Sequence, residues 1–283
     1  MPVLLVVLAA VSQELGAALA VTLFPVLGPL GMVFVRLAVA GVVLCGALRP
    51  RLRGLTRTAW FSAAALAATL TVMNTCFYLA LTRIPLGVAV TIEVLGPLVL
   101  SVVVGTRRIA WLWALLAFAG VALLGVGHEP LGSDAVGFAF AAAAGVAWAL
   151  YVLASARAGA EFPGLDGLAI ASVMGALVLA PAALLTVDGT ALQWHAVALG
   201  LTVGVMSSVI PYSLELISLR RLSAGTFAIL TSVSPVTAAI AGLLVLGQEL
   251  GLSGYLAIVL VSAACVGAVR VSESARWPDR RLP

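Results

Sequence analysis

The chain has 283 residues, of which 63% are hydrophobic and only 9% are charged, and its formal net charge is +4. A mean hydropathy of +1.20 excludes a water-soluble domain, because such domains carry about 25% charged residues. The positive charge does not indicate nucleic-acid binding, since the basic residues stand in short clusters between apolar runs, where the positive-inside rule expects them.

Apolar windows long enough to cross a membrane follow one another along the chain. A hydrocarbon core of about 30 Å needs roughly 20 helical residues. The pattern predicts an all-α integral membrane protein of about ten transmembrane helices, near residues 2–22, 29–48, 58–81, 85–104, 109–126, 135–155, 167–187, 196–218, 224–246 and 251–271. The first window resembles a secretory signal, but it lacks a positive start, and Gln13 and Glu14 interrupt it. We expect it to be a retained span.

The charges between the windows predict the orientation. Arginines follow every second window: Arg49, Arg51, Arg53 and Arg57, then Arg107 and Arg108, Arg157, Arg220 and Arg221, and in the tail Arg276, Arg280 and Arg281. The alternate connections contain His128, Glu129, Asp134, Asp188 and Glu249, with Arg83 as their only arginine. Both termini are therefore expected on the cytoplasmic side of the membrane.

An internal repeat divides the chain. Gly87 aligns with Gly225 and Pro97 with Pro235 at a common offset of 138 residues, close to half the length. With five spans in each half, the second copy enters the membrane in the opposite orientation, as in many secondary transporters. We expect a first repeat over residues 1–141, an inverted second repeat over 142–271 and a cytoplasmic tail over 272–283.

Charged residues inside the spans are costly and need a partner, water or a function. Glu14, Arg36 and Glu93 are such residues, and counting about 1.5 Å per residue places all three roughly 10 to 12 Å from the outer surface. One interpretation is a structural ion pair between Arg36 and one carboxylate. The other is coupling, because the second carboxylate lacks a full partner and can exchange protons. Both interpretations remain open.

Polar side chains recur at helical spacing on two spans that the repeat aligns. They are Thr71, Asn74, Tyr78 and Thr82 on the third span and Ser208, Tyr212 and Glu215 on the eighth. Lipid rejects such stripes, so we expect both to face inward. They predict a shared hydrated cavity that binds substrate, and the alternative is hydrogen bonding between helices at about 1 kcal/mol per bond.

An aromatic stripe lies on the sixth span. Trp148, Tyr151 and Ser155 are three or four residues apart, so they share one helix face. The two aromatic residues are candidate contacts for an apolar part of the substrate. Anchoring at the membrane interface is the alternative.

Two prolines stand in the middle of predicted spans. Pro97 and Pro235 each remove a backbone hydrogen bond, so they are candidate helix kinks. Carbonyls that a kink frees can face a cavity but not lipid. A purely structural kink is the alternative.

Neither a cofactor nor a metal is predicted. Cys45, Cys76 and Cys265 lie in apolar runs without paired spacing, and His128 and His195 lie in or next to loops. The spans contain no nucleophile with a base, so we expect no enzymatic activity. An intramembrane enzyme and a non-transporting membrane protein remain distant alternatives.

Two segments resemble a known family. They are NTCFYLALTRIPLGVAVTIEVLGPLVLSVVV, from Asn74 to Val104, and SSVIPYSLELISLRRLSAGTFAILTSVSPVTAAIAGLLVLGQE, from Ser207 to Glu249. They are similar to the two EamA-type repeats of the threonine/homoserine exporter group in the drug/metabolite transporter superfamily. Glu14 and Val21 depart from that group's pattern, which more often has Gln and Lys at these positions.

The resemblance implies ten helices, cytoplasmic termini and a central cavity lined by spans 1, 3, 4, 6, 8 and 9. Arg36, Glu93, Tyr212 and Glu215 match the family's pattern. The implied function is export of neutral amino acids across a bacterial inner membrane. From the inverted repeat and the charges in the spans we expect alternating access, with Glu14 or Glu93 taking up a coupling proton or contacting the substrate's ammonium group. A drug or metabolite permease of broad specificity, from the same superfamily, is the alternative.

Overall fold

We describe the protein from a computed structural model. The structure describes residues 2–104, 110–126, 134–186, 193–219 and 233–274. Those residues form helices joined by short connections and contain no β-strand, so the expected all-α class is confirmed. Several residues named above lie outside the described residues: Arg107, Arg108, His128, Glu129, Asp188, Arg220, Arg221, Gly225, Arg276, Arg280 and Arg281.

The helices follow the predicted windows closely. In chain order they are α1 (Pro2–Thr22), α2 (Phe24–Leu48), α3 (Arg57–Leu81), α4 (Leu86–Glu93), α5 (Leu95–Val104), α6 (Ala110–Val126), α7 (Ala135–Glu161), α8 (Asp166–Thr186), α9 (Trp194–Gly204), α10 (Ile210–Leu219), α11 (Ser234–Leu246) and α12 (Leu252–Ser274). A π-helical turn, Val205–Val209, connects α9 to α10.

Six helical segments of the described chain are long and apolar enough to span a membrane. They are Leu4–Thr22, Phe24–Leu48, Arg57–Leu81, Ala135–Glu161, Asp166–Leu185 and Trp194–Glu215, and four shorter apolar helices accompany them. Large apolar side chains on the outer surface, such as Leu115 and Val178, are mostly exposed. A surface of this kind is solvated by lipid rather than by water.

Helix α2 and the predicted span 85–104 each contain an interruption. In α2 the interruption is at Gly28, whose φ of 65° is open to glycine without strain, and Pro29 follows it. The second break lies at Val94, between α4 and α5. Pro97, three residues later, cannot donate a hydrogen bond to the carbonyl of Glu93. Pro235 is the second residue of α11, and the segment before that helix lies outside the described residues.

The helices pack around two apolar cores. The larger core holds buried residues of α1, α2, α3, α4, α7 and α8, together with Val203 of α9, Tyr212 of α10, Ala238 and Ala241 of α11 and Ala257 of α12. The smaller core joins α5, α6 and α12. Tyr78, Tyr151 and Tyr212 lie within the larger core, and α6 packs against α12 beside it.

Candidate functional site

Arg36 of α2 links the first half of the chain to the second. Its side chain is buried, with 3% of the residue exposed. Nη2 donates a hydrogen bond to the carbonyl oxygen of Ser207 at 2.6 Å, and Nε donates to Oγ of Ser208 at 3.1 Å. The guanidinium also lies over the Tyr78 ring, with Cζ 5.0 Å from the ring centroid, a cation–π contact.

Pro211 explains why the π-helical turn needs side chains from outside its own helix. Proline has no N–H, so it cannot donate to the carbonyl of Ser207 in an α-helical pattern or to that of Met206 in a π-helical one. Arg36 donates to the first of these carbonyls, and Oγ of Ser12, on α1, donates to the second at 2.6 Å. Side chains from the first half of the chain therefore bond both carbonyls that Pro211 could otherwise have served.

Gly16 lets α1 approach this turn closely. A Cβ atom at Gly16 would lie 2.8 Å from Cβ of Ser207 and 2.9 Å from its backbone nitrogen. A side chain at this position would push the two helices apart. Gly16 therefore allows α1 to approach the π-helical turn, and Ser12, one helical turn before Gly16, donates the hydrogen bond to it.

Asn74 and Tyr212, which the repeat aligns, are in direct contact. Nδ2 of Asn74 donates to the Tyr212 hydroxyl at 3.3 Å and to the carbonyl of Leu70 at 2.8 Å. The Tyr151 ring packs beside the Tyr212 ring, with the centroids 6.1 Å apart. Side chains from α3, α7 and α10 thus meet at one point in the larger core.

Three acids surround this region without pairing directly with Arg36. Glu14 is 2% exposed, and its Oε2 atom has no hydrogen-bond partner among the described residues. Glu93 is buried at the end of α4, and Glu215 is partly buried on α10. Glu14 interacts electrostatically with Glu93, Arg36 and Glu215. A direct ion pair of Arg36 with Glu14 or Glu93, one of the two interpretations that the sequence left open, is not present within 4.0 Å, and two guanidinium donors bond serine oxygens instead.

Other members of the predicted stripes lie farther from this cluster. Thr82 is exposed, and its hydroxyl donates to the carbonyl of Leu79. Thr71 is buried beside Gly175. Trp148 is half-buried and packs against both apolar cores, whereas Tyr151 on the same helix reaches Tyr212.

The cluster is closed at the end of the bundle where α3 ends. Nη1 of Arg83 lies 2.9 Å from Oδ2 of Asp134, and the backbone nitrogen of Leu86 donates to Oε1 of Gln248 at 3.0 Å. The pKa of Asp134 is lowered by hydrogen bonds from the backbone N–H of Gly137 and from Arg83. The first contact joins the connection after α3 to the start of α7, and the second joins the start of α4 to the connection after α11.

A small crevice lies at the opposite end. Its volume is about 30 Å³, and Leu66, Tyr151, Ser155, Phe162 and Leu168 are among the residues that line it. A space of this size holds about one water molecule. The crevice reaches Tyr151 and is too small to hold a metabolite.

Sequence reasoning missed the residues that hold the π-helical turn. Ser12, Ser207 and Pro211 lie in predicted spans, and only Ser208 was assigned to a polar stripe. The available signal was Pro211 in the middle of a 23-residue apolar window, 196–218. A proline there frees carbonyls, and nearby serines and a buried arginine are the side chains that satisfy them.

A multi-pass helical membrane protein with a buried polar cluster shared between two halves fits the class of secondary transporters. Residues 135–270 match the EamA-like transporter family. The chain is 35% identical to "Threonine/homoserine exporter RhtA" of Escherichia coli (strain K12), over 95% of this chain and 91% of that protein. The protein of the same name from Salmonella typhimurium (strain LT2) matches equally well. The chain belongs to the EamA-like transporter family.

A solved structure supports the fold independently. One solved structure, "Crystal structure of protein", superposes on this chain with a TM-score of 0.68. The match covers 96% of this chain and 97% of that one. Its sequence identity of 18% means that the likeness concerns the fold alone.

Proposed function

We propose that the protein exports small neutral amino acids of the threonine and homoserine type across the bacterial inner membrane. The observation that carries the proposal is the 35% identity to a threonine/homoserine exporter over nearly the whole length of both chains. The buried cluster of Arg36, Asn74, Tyr78 and Tyr212 adds a physical reason, because an amino acid needs charged and hydrogen-bonding partners when it leaves water.

The substrate site in this proposal lies between the halves. Asn74, Tyr78 and Tyr212 hydrogen-bond the amino and carboxyl groups, and Glu215 lies one turn beyond Tyr212. Trp148 and Tyr151 contact the substrate's apolar part. The Tyr151–Tyr212 ring contact supports a role for Tyr151 directly, whereas Trp148 has the weaker geometric support, since its contacts are with the apolar cores.

Ten spans in two inverted repeats, residues 1–141 and 142–271, are part of the proposal. Helix packing supports it: α3 contacts α7 as α10 contacts α1, and α5 contacts α7 as α11 contacts α1. Within each of these two pairs, exchanging the halves of the chain converts one helix contact into the other. If a twofold axis relates the two halves, a residue on that axis contacts the aligned residue of the other half. Asn74 contacts Tyr212 in this way, at an offset of 138 residues. Leu37 and Gly175, at the same offset, also lie close together.

Orientation and mechanism follow from this symmetry. Both termini face the cytoplasm, because Arg49, Arg51 and Arg53 are exposed between α2 and α3, and Arg157 is exposed near the end of α7. The halves rock around the central site, which opens alternately to each side. Closure where α3 ends, with a crevice at the other end, is the arrangement of a carrier that admits substrate from the cytoplasm.

Proton coupling completes the proposal. Glu14 and Glu93 lie in the spans with one buried cation, Arg36, so one carboxylate has no full counter-charge. Either acid can carry the coupling proton or contact the substrate's ammonium group. The unpartnered Oε2 atom of Glu14 supports a role for that residue.

Growth of cells that lack or overproduce the protein tests the substrate class. Overproduction should confer resistance to toxic analogues of threonine or homoserine and leave sensitivity to lipophilic cations unchanged. Resistance to the cations but not to the analogues would favour a permease of broad specificity instead.

A further inference from the structure

The π-helical turn presents two oxygens to Arg36 in the arrangement that a carboxylate uses. Nε and Nη2 form the side-on fork of a guanidinium, which takes both oxygens of a carboxylate in parallel. Here the same two donors bond Oγ of Ser208 and the carbonyl of Ser207, at 3.1 Å and 2.6 Å. Adjacent residues of one helix thus fill a fork that suits a carboxylate.

We propose that, without substrate, the Ser207 carbonyl and the Ser208 hydroxyl occupy the two positions beside Arg36 that the oxygens of the substrate's carboxylate take on binding. An α-amino acid displaces this pair when it binds, and its carboxylate takes both donors of the fork. This inference rests on the proposed function, since it names the part of an amino acid that Arg36 receives. It assigns to Arg36 a direct contact with substrate.

Charge and burial favour a carboxylate at this position. Arg36 is the only cation that is less than 9% exposed in the described part of the chain. A carboxylate that leaves water needs charge-assisted hydrogen bonds, and a buried guanidinium provides two in one plane. Cζ of Arg36 lies over the Tyr78 ring at 5.0 Å from its centroid, so the ring fills part of the space around the guanidinium.

The ammonium group of the same substrate has a matching partner. Glu14 is buried, and its Oε2 atom lacks a hydrogen bond among the described residues. Glu14 also interacts electrostatically with Arg36. A zwitterion placed between the two would give each buried charge a partner of opposite sign, which a neutral or purely cationic compound cannot do.

Displacement also has a structural consequence. The Ser207 carbonyl accepts a 2.6 Å hydrogen bond from Arg36, and Pro211 cannot supply the α-helical bond that would replace it. When the substrate takes Arg36, the turn loses that hydrogen bond and retains the Met206 carbonyl bond from Ser12. Substrate binding therefore loosens the joint between α9 and α10, the span that packs against α1 and α2.

Threonine and threoninamide are the probes, because the amide keeps the ammonium group and the shape but lacks the negative charge. Binding is measured with purified wild-type protein in proteoliposomes, as competition against labelled threonine. The wild type should bind the amide at least tenfold more weakly than the acid. Equal affinity for the two would overturn the proposal while leaving amino-acid export intact, whereas a wild type that binds and transports no α-amino acid contradicts both.

The Ser208→Ala variant tests displacement itself. It removes a competing acceptor that is bonded only in the empty state, so the affinity for threonine should rise about fivefold. The affinity for threoninamide should not change. Arg36→Lys, which keeps the charge but not the fork, should weaken threonine binding at least tenfold. Ser172→Ala is the control, because Ser172 is buried and its hydroxyl has no partner among the described residues.

An unchanged or lower threonine affinity in Ser208→Ala would contradict displacement. If that variant fails to fold, hydrogen exchange of the wild type decides the matter. Amides of the 205–210 segment should exchange faster with saturating threonine than with threoninamide at the same concentration. Slower or equal exchange with threonine would overturn the proposed loosening.

Discussion

Removing the Tyr212 hydroxyl should weaken substrate binding more than folding. Tyr212→Phe keeps the ring against Tyr151 and deletes one neutral hydrogen bond of 3.3 Å from Asn74. A bond of this kind contributes about 0.5 to 1 kcal/mol, and Asn74 retains its 2.8 Å bond to Leu70. In the substrate complex the Tyr212 hydroxyl instead hydrogen-bonds the substrate. Loss of this hydroxyl should therefore raise the Kd for threonine about fivefold.

The assay pairs threonine binding in proteoliposomes with thermal unfolding followed by tryptophan fluorescence. Asn74→Ala should also raise the Kd, by five- to tenfold. Leu115→Ala is the control, because its side chain is 63% exposed on the surface that faces lipid. Similar changes of Kd in all three variants, or losses of affinity that simply follow losses of thermal stability, would refute a binding role for the Asn74–Tyr212 pair.

Three further predictions concern the acids, the close approach of α1 and the closed end. Glu14→Gln and Glu93→Gln should differ in transport, because one variant should lose pH-dependent transport while still folding. Normal transport by both variants between pH 5 and 8 would exclude the two acids as proton carriers. Gly16→Ala should destabilise the protein by about 1 to 3 kcal/mol, whereas Gly46→Ala, which meets no atom within 4 Å, should not; equal thermal stabilities would contradict the packing argument. The lowered pKa of Asp134 means that its charge stabilises the folded state above the ordinary aspartate pKa of about 3.9. The thermal stability of Asp134→Asn should therefore fall slightly below that of the wild type at pH 7 and approach it as the pH drops below 4, and a constant difference would contradict the assignment.

Hydrophobic windows predicted the helices well, because a membrane span must satisfy its backbone internally and its length is set by the bilayer. The windows at 2–22 and 58–81 match α1 and α3 within a residue. Breaks were harder to predict. The interruption at Gly28 lies beside Pro29 and the π-helical turn lies beside Pro211, and apolar content does not reveal where such residues break a helix.

The candidate site was predicted in part. The 138-residue offset aligned Asn74 with Tyr212, and the two are hydrogen-bonded. The partner of Arg36 was not predicted, because charge alone favours a carboxylate over a serine. The outcome depended on Pro211, whose missing N–H leaves a carbonyl that needs a donor. The periodicity of side chains along the sequence does not show which backbone carbonyl lies next to Arg36 in the folded protein.

Efflux of labelled threonine from proteoliposomes tests the central claim most directly. Vesicles that contain the purified protein should lose preloaded threonine faster than protein-free vesicles, and a proton gradient directed against the substrate flow should accelerate the loss. Unlabelled homoserine on the opposite side should drive exchange of the label. Efflux at the rate of protein-free vesicles, with or without the gradient, would contradict the assignment of this chain as an amino-acid exporter.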